Sequence, residues 1–300
     1  MLTRRQWLAG MAASRLLEAA PELKRRLGVT TDEIDDDPLT AVRFLNEFGL
    51  GKAEVRNVWG KYNTVQPLEK IRELRGIFDQ HKVTTSVLGT GFFKIPLPPD
   101  TPEGRGVLDN QFSLLGGAME RARILGTDKI RIFAFTYKDG EQPDQKNYAR
   151  IYELVTEAAR RAAERKFKLV LENVGGSYVS TGAEAARLLK AVKNDALGLT
   201  WDPNNAGMSG EKAFPDGYRQ LDPARIMHVH LRDYRKNAAG KVEWCAVGDG
   251  EFDNLGQLRA LMKAGYKGWF TLETHYKSPL GKAHATRTSL SALLKILDRV

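Results

Sequence analysis

One unit recurs eight times along this 300-residue chain: a short apolar or β-branched run, followed in most cases by a segment with helical periodicity. Such a series folds either as a closed barrel or as an open, doubly wound sheet. The open sheet usually carries a glycine-rich loop after its first strand, but here TDEIDDDPLT follows, which contains no glycine. The sequence therefore predicts an α/β fold, a single-domain (β/α)8 TIM barrel over residues 27–300. The predicted strands are residues 27–31, 53–59, 83–89, 129–135, 169–173, 197–202, 226–233 and 269–274.

The connection after the third predicted strand is the longest irregular stretch. Residues 89–109, GTGFFKIPLPPDTPEGRGVLD, are rich in proline and glycine, so we predict a loop there. Long loops in compact domains are usually functional, and we expect this one to form a wall or lid over a site. The next predicted helix begins near Leu114, and the last begins near Ser289.

The first 26 residues differ in composition from the rest of the chain. Segment 1–26 has six basic and two acidic side chains, so it supplies +4 of the formal net charge of +9. Arg4 and Arg5 precede a short apolar run, residues 7–13, which resembles a twin-arginine export signal. A frayed, basic N-terminal helix of a cytoplasmic protein is an equal alternative. Localisation therefore stays open between the cytoplasm and export.

Composition narrows the classes of partner. The charge outside segment 1–26 is more diffuse than the clustered basic stripe of a nucleic-acid binder, so we expect no nucleic-acid partner. No stretch approaches the roughly 20 apolar residues that a membrane span needs, so we expect no membrane contact. The one cysteine, Cys245, rules out an internal disulfide. We expect a small-molecule ligand, and self-association as a homodimer or homotetramer stays open.

Four polar side chains stand at the ends of four successive predicted strands. Glu172 ends the fifth, Asp202 the sixth, His230 lies near the end of the seventh and Glu273 ends the eighth. Because chemistry in such barrels sits where strands end, we expect the four side chains to converge at one mouth. Three carboxylates in a mostly apolar mouth would repel one another unless a divalent cation neutralised them.

This donor set of three carboxylates and one imidazole predicts one divalent metal ion. Oxygen-rich ligation favours Mn²⁺, with Mg²⁺, Co²⁺ or Zn²⁺ as alternatives. The competing interpretation is that each acidic residue pairs with a nearby arginine or caps a helix, and for any one of them alone it is the stronger. His228 lies two residues before His230 on the same strand face. It is interpreted as a core histidine, a partner that orients a metal ligand, or a substrate contact.

An ordered series of short motifs resembles a known family. The motifs are EVRNVWGK (54–61), LEN (171–173), WDPNN (201–205), HVHLRD (228–233), GDG (248–250) and TLET (271–274). Together they resemble the xylose isomerase-like sugar phosphate isomerase/epimerase superfamily, over residues 27–300. The resemblance implies a TIM barrel and a divalent metal held by Glu172, Asp202, His230 and Glu273.

The resemblance also indicates several reactions. Members of the superfamily isomerise or epimerise sugars, dehydrate inososes, isomerise hydroxypyruvate or cut abasic DNA. Ketose 3-epimerases typically have a histidine three positions after the sixth-strand aspartate, where this chain has Asn205. That difference alters a contact to a substrate oxygen and puts a standard ketose epimerase in doubt.

The leading hypothesis is a divalent-metal-dependent sugar or sugar phosphate isomerase/epimerase that transfers a proton through an enediolate. Glu172 and Glu273 are its predicted base and acid. The alternative is β-elimination from a keto-sugar or keto-glycoside by a dehydratase or lyase. An apurinic-site endonuclease would need more than the five histidines present, and a non-catalytic sugar-binding barrel would not need the four ligands. The predicted substrate contacts are Arg232, Asp233, Asn205, Trp59, His228 and His275, with a structural ion pair as the alternative for Arg232 and Asp233.

Overall fold

Eight parallel strands close into a barrel. The computed structural model describes residues 22–137 and 143–300. Around the ring the strands follow in the order β1, β2, β5, β6, β7, β8, β9 and β12, and β12 pairs with β1. The barrel strands are β1 (Leu27–Thr30), β2 (Lys52–Val55), β5 (Thr84–Gly89), β6 (Lys129–Ile132), β7 (Lys168–Glu172), β8 (Leu197–Trp201), β9 (Ile226–Leu231) and β12 (Trp269–Leu272). Each predicted strand overlaps one of them, so the predicted TIM barrel is confirmed.

Helices surround the barrel and cover its outer face. In the part of the chain that the structure describes, eight helices have six residues or more. They are α1 (Pro38–Glu47), α2 (Leu68–Gln80), α3 (Pro102–Leu125), α4 (Asn147–Glu164), α5 (Gly182–Ala191), α6 (Pro203–Met208), α7 (Asn254–Lys263) and α8 (Lys282–Leu297). Because both faces of the sheet are covered, its strands are nearly continuous apolar runs; every residue of β8 is buried.

The connection after β5 differs from its prediction. Helix α3 begins at Pro102, so the predicted loop over 89–109 is wrong for its last eight residues. The Thr101 hydroxyl accepts a hydrogen bond from the Gly104 N–H at 3.2 Å, and a proline suits the first turn because its missing N–H is not needed there. Helix α8 likewise begins at Lys282, earlier than the predicted Ser289.

Two antiparallel hairpins rise from the carboxyl ends of the barrel strands. Strands β3 (Asn57–Val58) and β4 (Lys61–Tyr62) follow β2, so the strand predicted over 53–59 ends at Val55 instead. Strands β10 (Asp233–Lys236) and β11 (Val242–Cys245) follow β9. The hairpins therefore stand at the end of the barrel where the predicted ligands lie.

Part of the predicted N-terminal segment packs against the barrel. Leu23 is buried, and the Arg26 guanidinium donates hydrogen bonds to the carbonyl oxygens of Tyr266 and Gly268 at 2.9 and 2.8 Å. The twin-arginine-like pattern lies outside the described residues, and the boundary at residue 27 stays a prediction. Among the described helices, none combines the length and apolar character needed to cross a membrane.

Candidate metal centre

The four predicted metal ligands converge at the mouth of the barrel. Glu172 ends β7, Asp202 follows β8, His230 lies in β9 and Glu273 follows β12, which are four neighbouring strands of the ring. One ligand atom of each residue lies within 4.8 Å of the corresponding atoms of the other three. His230 Nδ1 is 3.3 Å from Glu273 Oε2, 3.4 Å from Glu172 Oε1 and 3.7 Å from Asp202 Oδ2. All four side chains are buried.

Glu54 orients the imidazole of His230. One oxygen of its buried carboxylate, Oε2, is 2.9 Å from His230 Nε2 and 3.0 Å from His228 Nε2. Because an ionised carboxylate only accepts, both Nε2 atoms carry the hydrogen, and the Nδ1 of a neutral His230 keeps a free lone pair. That buried Nδ1 has no hydrogen-bond partner among the described residues. A divalent cation would satisfy this lone pair and the three carboxylates together, so the donor set fits such an ion.

Arginines also contact the carboxylates of the centre. Arg232 pairs with Asp202, Arg56 pairs with Glu273, and Arg131 Nε is 3.2 Å from Glu172 Oε2. Asp202 in addition caps α6, because its Oδ1 accepts hydrogen bonds from two backbone N–H groups of the first turn. The competing interpretation of ion pairs and a helix cap thus describes real contacts. It does not account for the buried Nδ1 of His230, which has no hydrogen-bond partner among the described residues.

Burial and neighbouring charges shift the pKa values of the centre. Burial lowers the pKa of His230, but the carboxylates of Glu54, Glu172 and Glu273 outweigh it and raise that pKa well above the usual 6.5. Burial raises the pKa of Glu273, but His275, Arg56 and His230 bring it well below its usual value. The carboxylate is therefore ionised at neutral pH, and a metal ion must displace a proton from His230 in order to bind.

The metal-centre cavity, a space of about 180 Å³, opens beside the ligands. Three predicted substrate contacts line it: Arg232, Asn205 and His275. The Asn205 amide donates hydrogen bonds to Glu172 Oε1 at 3.3 Å and to the Asn173 carbonyl at 2.9 Å. Asn205 thus contacts a predicted metal ligand and faces the cavity, and its role as a substrate contact stays a prediction.

The other three predicted substrate contacts do not line the metal-centre cavity. The Asp233 carboxylate accepts hydrogen bonds from the backbone N–H groups of Gly248 and Phe252, in the loop after β11. Among the described contacts it forms no ion pair with Arg232, which pairs with Asp202. His228 is fully buried below His230. Trp59 lies away from the cavity, and the Lys70 ammonium is 4.8 Å from the centre of its ring. As substrate contacts, all three residues stay predictions.

Sequence reasoning missed several residues of the site. Glu54 and Arg131 lie within otherwise apolar strands and point into the barrel. There Arg131 Nη1 is 3.3 Å from Glu54 Oε1. Lys94 and Trp244 line the metal-centre cavity from the β5–α3 connection and from β11. A charged residue within an otherwise apolar strand was the available signal for the first two. Lys94 belongs to the predicted loop, and Trp244 carried no signal.

Comparison with known proteins places this architecture. The sequence profile described as xylose isomerase-like TIM barrel matches residues 42–296. The chain belongs to the xylose isomerase-like TIM barrel family. This confirms the resemblance identified from the motifs.

Two curated members of the family are named inosose dehydratase. That of Geobacillus thermodenitrificans (strain NG80-2) is 30% identical over 126 residues, which cover 37% of this chain and 42% of the relative. That of Histophilus somni (strain 129Pt) is 24% identical over 275 residues, covering 82% and 87%. The chain therefore spans less than half the length of the first of these relatives.

Solved structures share the fold at low sequence identity. The IOLI protein with a bound zinc atom has a TM-score of 0.73 and 17% identity, covering 91% of this chain and 98% of that one. D-allulose 3-epimerase from Methylomonas sp., in complex with D-allulose, has a TM-score of 0.69 and 17% identity, covering 90% of each chain. At these identities the likeness shows the fold alone.

Proposed function

We propose that this chain is a divalent-metal-dependent lyase that removes the proton beside the carbonyl group of a polyhydroxylated ketone and then expels a β-oxygen. The observation that carries the proposal is the set of three carboxylate oxygens around the unpartnered Nδ1 of His230 within the described site. Sequence similarity to proteins named inosose dehydratase supports elimination as the outcome. Mn²⁺ is the first candidate ion, and the zinc in the IOLI structure makes Zn²⁺ the second. The bound ion would stabilise the negative charge that develops on the carbonyl oxygen.

Glu172 is the residue best placed to take the proton. Its Oε1 is 3.4 Å from His230 Nδ1, while its Oε2 lies 3.2 Å from Arg131 Nε but accepts no hydrogen bond from the described residues. Metal ligation lowers the basicity of a carboxylate, so a base in this site needs one oxygen left free. By contrast, Glu273 Oε1 accepts a hydrogen bond from Arg56, and Glu273 Oε2 is 3.3 Å from His230 Nδ1. We therefore assign the base to Glu172 and a second proton-transfer role to Glu273.

Other residues of the cavity bind and orient the substrate. As the Glu172 carboxylate takes the proton, the C–H electron pair moves towards the carbonyl, and it then forms the new C=C bond as the β C–O bond breaks. The ring of His275 is held by Glu33, whose Oε1 is 2.7 Å from His275 Nδ1. His275 lines the cavity and is available to hydrogen-bond the departing oxygen, while Arg232 and Asn205 are available to substrate hydroxyls.

The second candidate is the sugar or sugar phosphate isomerase/epimerase favoured by the sequence. It begins with the same proton abstraction and ends with the return of a proton to carbon. The position of Glu172 and Glu273, on strands that flank those of Asp202 and His230, favours it, because two carboxylates then border the reacting carbon. Its substrate, like that of the lyase, is a small carbohydrate.

The test follows solvent deuterium and products together. The protein is stripped of metal, reloaded with Mn²⁺ or Zn²⁺, and incubated in heavy water with inososes, ketoses and keto-glycosides under NMR observation. We expect metal-dependent deuterium exchange beside the carbonyl, with a new alkene signal and release of water or an alcohol. Glu172→Gln is expected to lower the rate by about 10²–10⁴-fold. The matched control, Glu69→Gln, changes a largely exposed carboxylate and should retain the rate.

The outcomes separate the two candidates. Exchange with an isomerised product and no alkene would favour the isomerase/epimerase. Absence of exchange from every substrate, with metal bound, would contradict both.

A further inference from the structure

A second cavity of about 460 Å³ adjoins the metal-centre cavity. Trp244 and His275 line both cavities and so form a shared wall. The metal-centre cavity alone, at about 180 Å³, is smaller than the roughly 300–1,000 Å³ of most ligand sites, while the two together fall inside that range. A ligand that fills the combined site is larger than one that fits beside the metal ligands alone.

Aromatic side chains line the second cavity. The Trp244 ring lies 4.3 Å from the Arg232 guanidinium and 5.7 Å from the His275 ring, so it is held between two residues of the metal-centre cavity. Tyr276 lines the second cavity as well. Aromatic rings offer a large apolar face with little loss of rotamer freedom, which suits the packing of another ring.

The charges of the second cavity balance. Its acidic residues, Asp32 and Glu33, both contact Arg56, at 2.8 and 2.9 Å. Its basic residues are Lys277 and Lys282, and the latter is 2.8 Å from the carboxylate of Asp36. Because the acidic and basic charges of the lining balance, the cavity has no excess positive charge to attract a phosphate or carboxylate, and it suits a neutral group with hydroxyls or an aromatic face.

We propose that this second cavity, the aglycone cavity, binds a neutral ring that is joined through a glycosidic oxygen to a keto-sugar at the metal centre. The inference rests on the proposed lyase function and narrows its substrate to keto-glycosides. In the reaction the C–O bond to the aglycone breaks, its electrons stay on the oxygen, and that oxygen takes a proton from solvent. One proton leaves carbon to Glu172 and one proton is added to the departing oxygen, so the step balances. His275 stands at the junction of the two cavities, where the glycosidic oxygen would lie.

The test compares substrates that differ only in the aglycone. Methyl, phenyl and glucosyl 3-keto-β-D-glucosides are incubated with the metal-loaded protein, and kcat/KM is measured for deuterium exchange and aglycone release. We expect the phenyl and glucosyl compounds to exceed the methyl compound by roughly 10-fold or more, because only they fill the aglycone cavity. Tyr276→Ala should reduce the phenyl-to-methyl ratio towards one, and Tyr276→Phe, which keeps the ring, should preserve it.

Binding gives the same comparison without turnover. The affinities of unoxidised phenyl and methyl β-D-glucosides are measured by calorimetry on the metal-loaded protein, and the phenyl compound should bind more tightly. Equal values for the two would overturn the aglycone cavity while exchange on the methyl substrate still upheld the lyase. Tighter binding of methyl glucoside 6-phosphate than of phenyl glucoside would contradict the proposal that the aglycone cavity binds a neutral ring. Phenyl selectivity in binding without any exchange would keep the cavity and count against the lyase.

Discussion

A single carboxylate oxygen of Glu54 accepts hydrogen bonds from the imidazoles of His228 and His230. This contact fixes which nitrogen of His230 faces the mouth of the barrel. The contact spans 176 residues of sequence. Residues that hold a metal ligand in its tautomer commonly affect affinity almost as much as the ligands do. Glu54 is therefore the residue beyond the four ligands on which metal binding should depend most.

Replacement of Glu54 by glutamine tests this role. The amide keeps the volume and removes the charge, so we expect Glu54→Gln to weaken Mn²⁺ binding about 10–100-fold. Isothermal titration calorimetry measures the affinity, with Glu69→Gln as the exposed control. An unchanged affinity in a folded variant would show that Glu54 does not orient the ligand.

Cys245 should be unreactive in the folded protein. Burial, with a smaller contribution from the nearby Asp233 carboxylate, raises the pKa of its thiol to about 12. At pH 8 only about one thiol in 10⁴ is then ionised, and the thiolate is the reactive form. We expect no reaction with a chromogenic disulfide over an hour at pH 8, and one equivalent after unfolding in guanidinium. Rapid reaction of the native protein would contradict the burial.

At the scale of the element, helix starts depend on single side chains. The Thr181 hydroxyl accepts a hydrogen bond from the Glu184 N–H at 3.2 Å, and the Glu184 carboxylate accepts one from the Thr181 N–H at 3.1 Å. The two hydrogen bonds form a capping box at the start of α5. Helix α5 follows β7 and therefore lies directly after the strand that carries Glu172. The Ser180 carbonyl, next to this cap, accepts a hydrogen bond from the Asn173 amide at 3.2 Å, so the start of α5 is linked to the residue that follows the strand.

Removal of this cap should cost stability without loss of the fold. We expect Thr181→Ala to lower the free energy of unfolding by about 1 kcal/mol, because one backbone N–H of the first turn loses its acceptor. Urea unfolding at neutral pH measures the change. Thr181→Ser keeps the hydroxyl and should stay close to the parent; an equal loss in both variants would mean that the methyl group, not the cap, matters.

The elements themselves were largely predictable. Period and composition predicted every barrel strand, because parallel strands that are buried on both faces consist mostly of apolar residues. The start of α3 was not predicted, since the proline and the two glycines of 102–109 indicate a loop unless Thr101 is recognised as a cap. The hairpin that carries Trp244 lacked a usable pattern, because most residues of its two strands are half-buried or exposed.

At the scale of the whole molecule, the ring of strands predicted the ligands but not their surroundings. Glu172, Asp202, His230 and Glu273 were identified because they end neighbouring strands, and the topology brings strand ends together. Arg131 and Glu54 meet across 77 residues, from strands separated by β5 in the ring. Such contacts depend on side-chain direction inside the barrel, which spacing along the chain does not specify.

Metal should stabilise the whole fold, since the four donors come from four strands. At a free Mn²⁺ concentration 100 times Kd, binding to the native state adds about 2.7 kcal/mol, which corresponds to a rise in Tm of about 4 °C for a chain of this length. Differential scanning calorimetry measures it. Asp202→Asn should abolish the rise and keep the α6 cap, because asparagine caps helices as well as aspartate. An equal rise in that variant would place the ion elsewhere.

The pairing of β12 with β1 joins the two ends of the folded chain, and Glu273 follows directly after that last strand. In a nascent chain, the fourth predicted donor, Glu273, is translated 43 residues after the third, His230. Binding of an ion by all four predicted donors would therefore require closure of the ring, so we expect a loaded centre only in the fully folded chain.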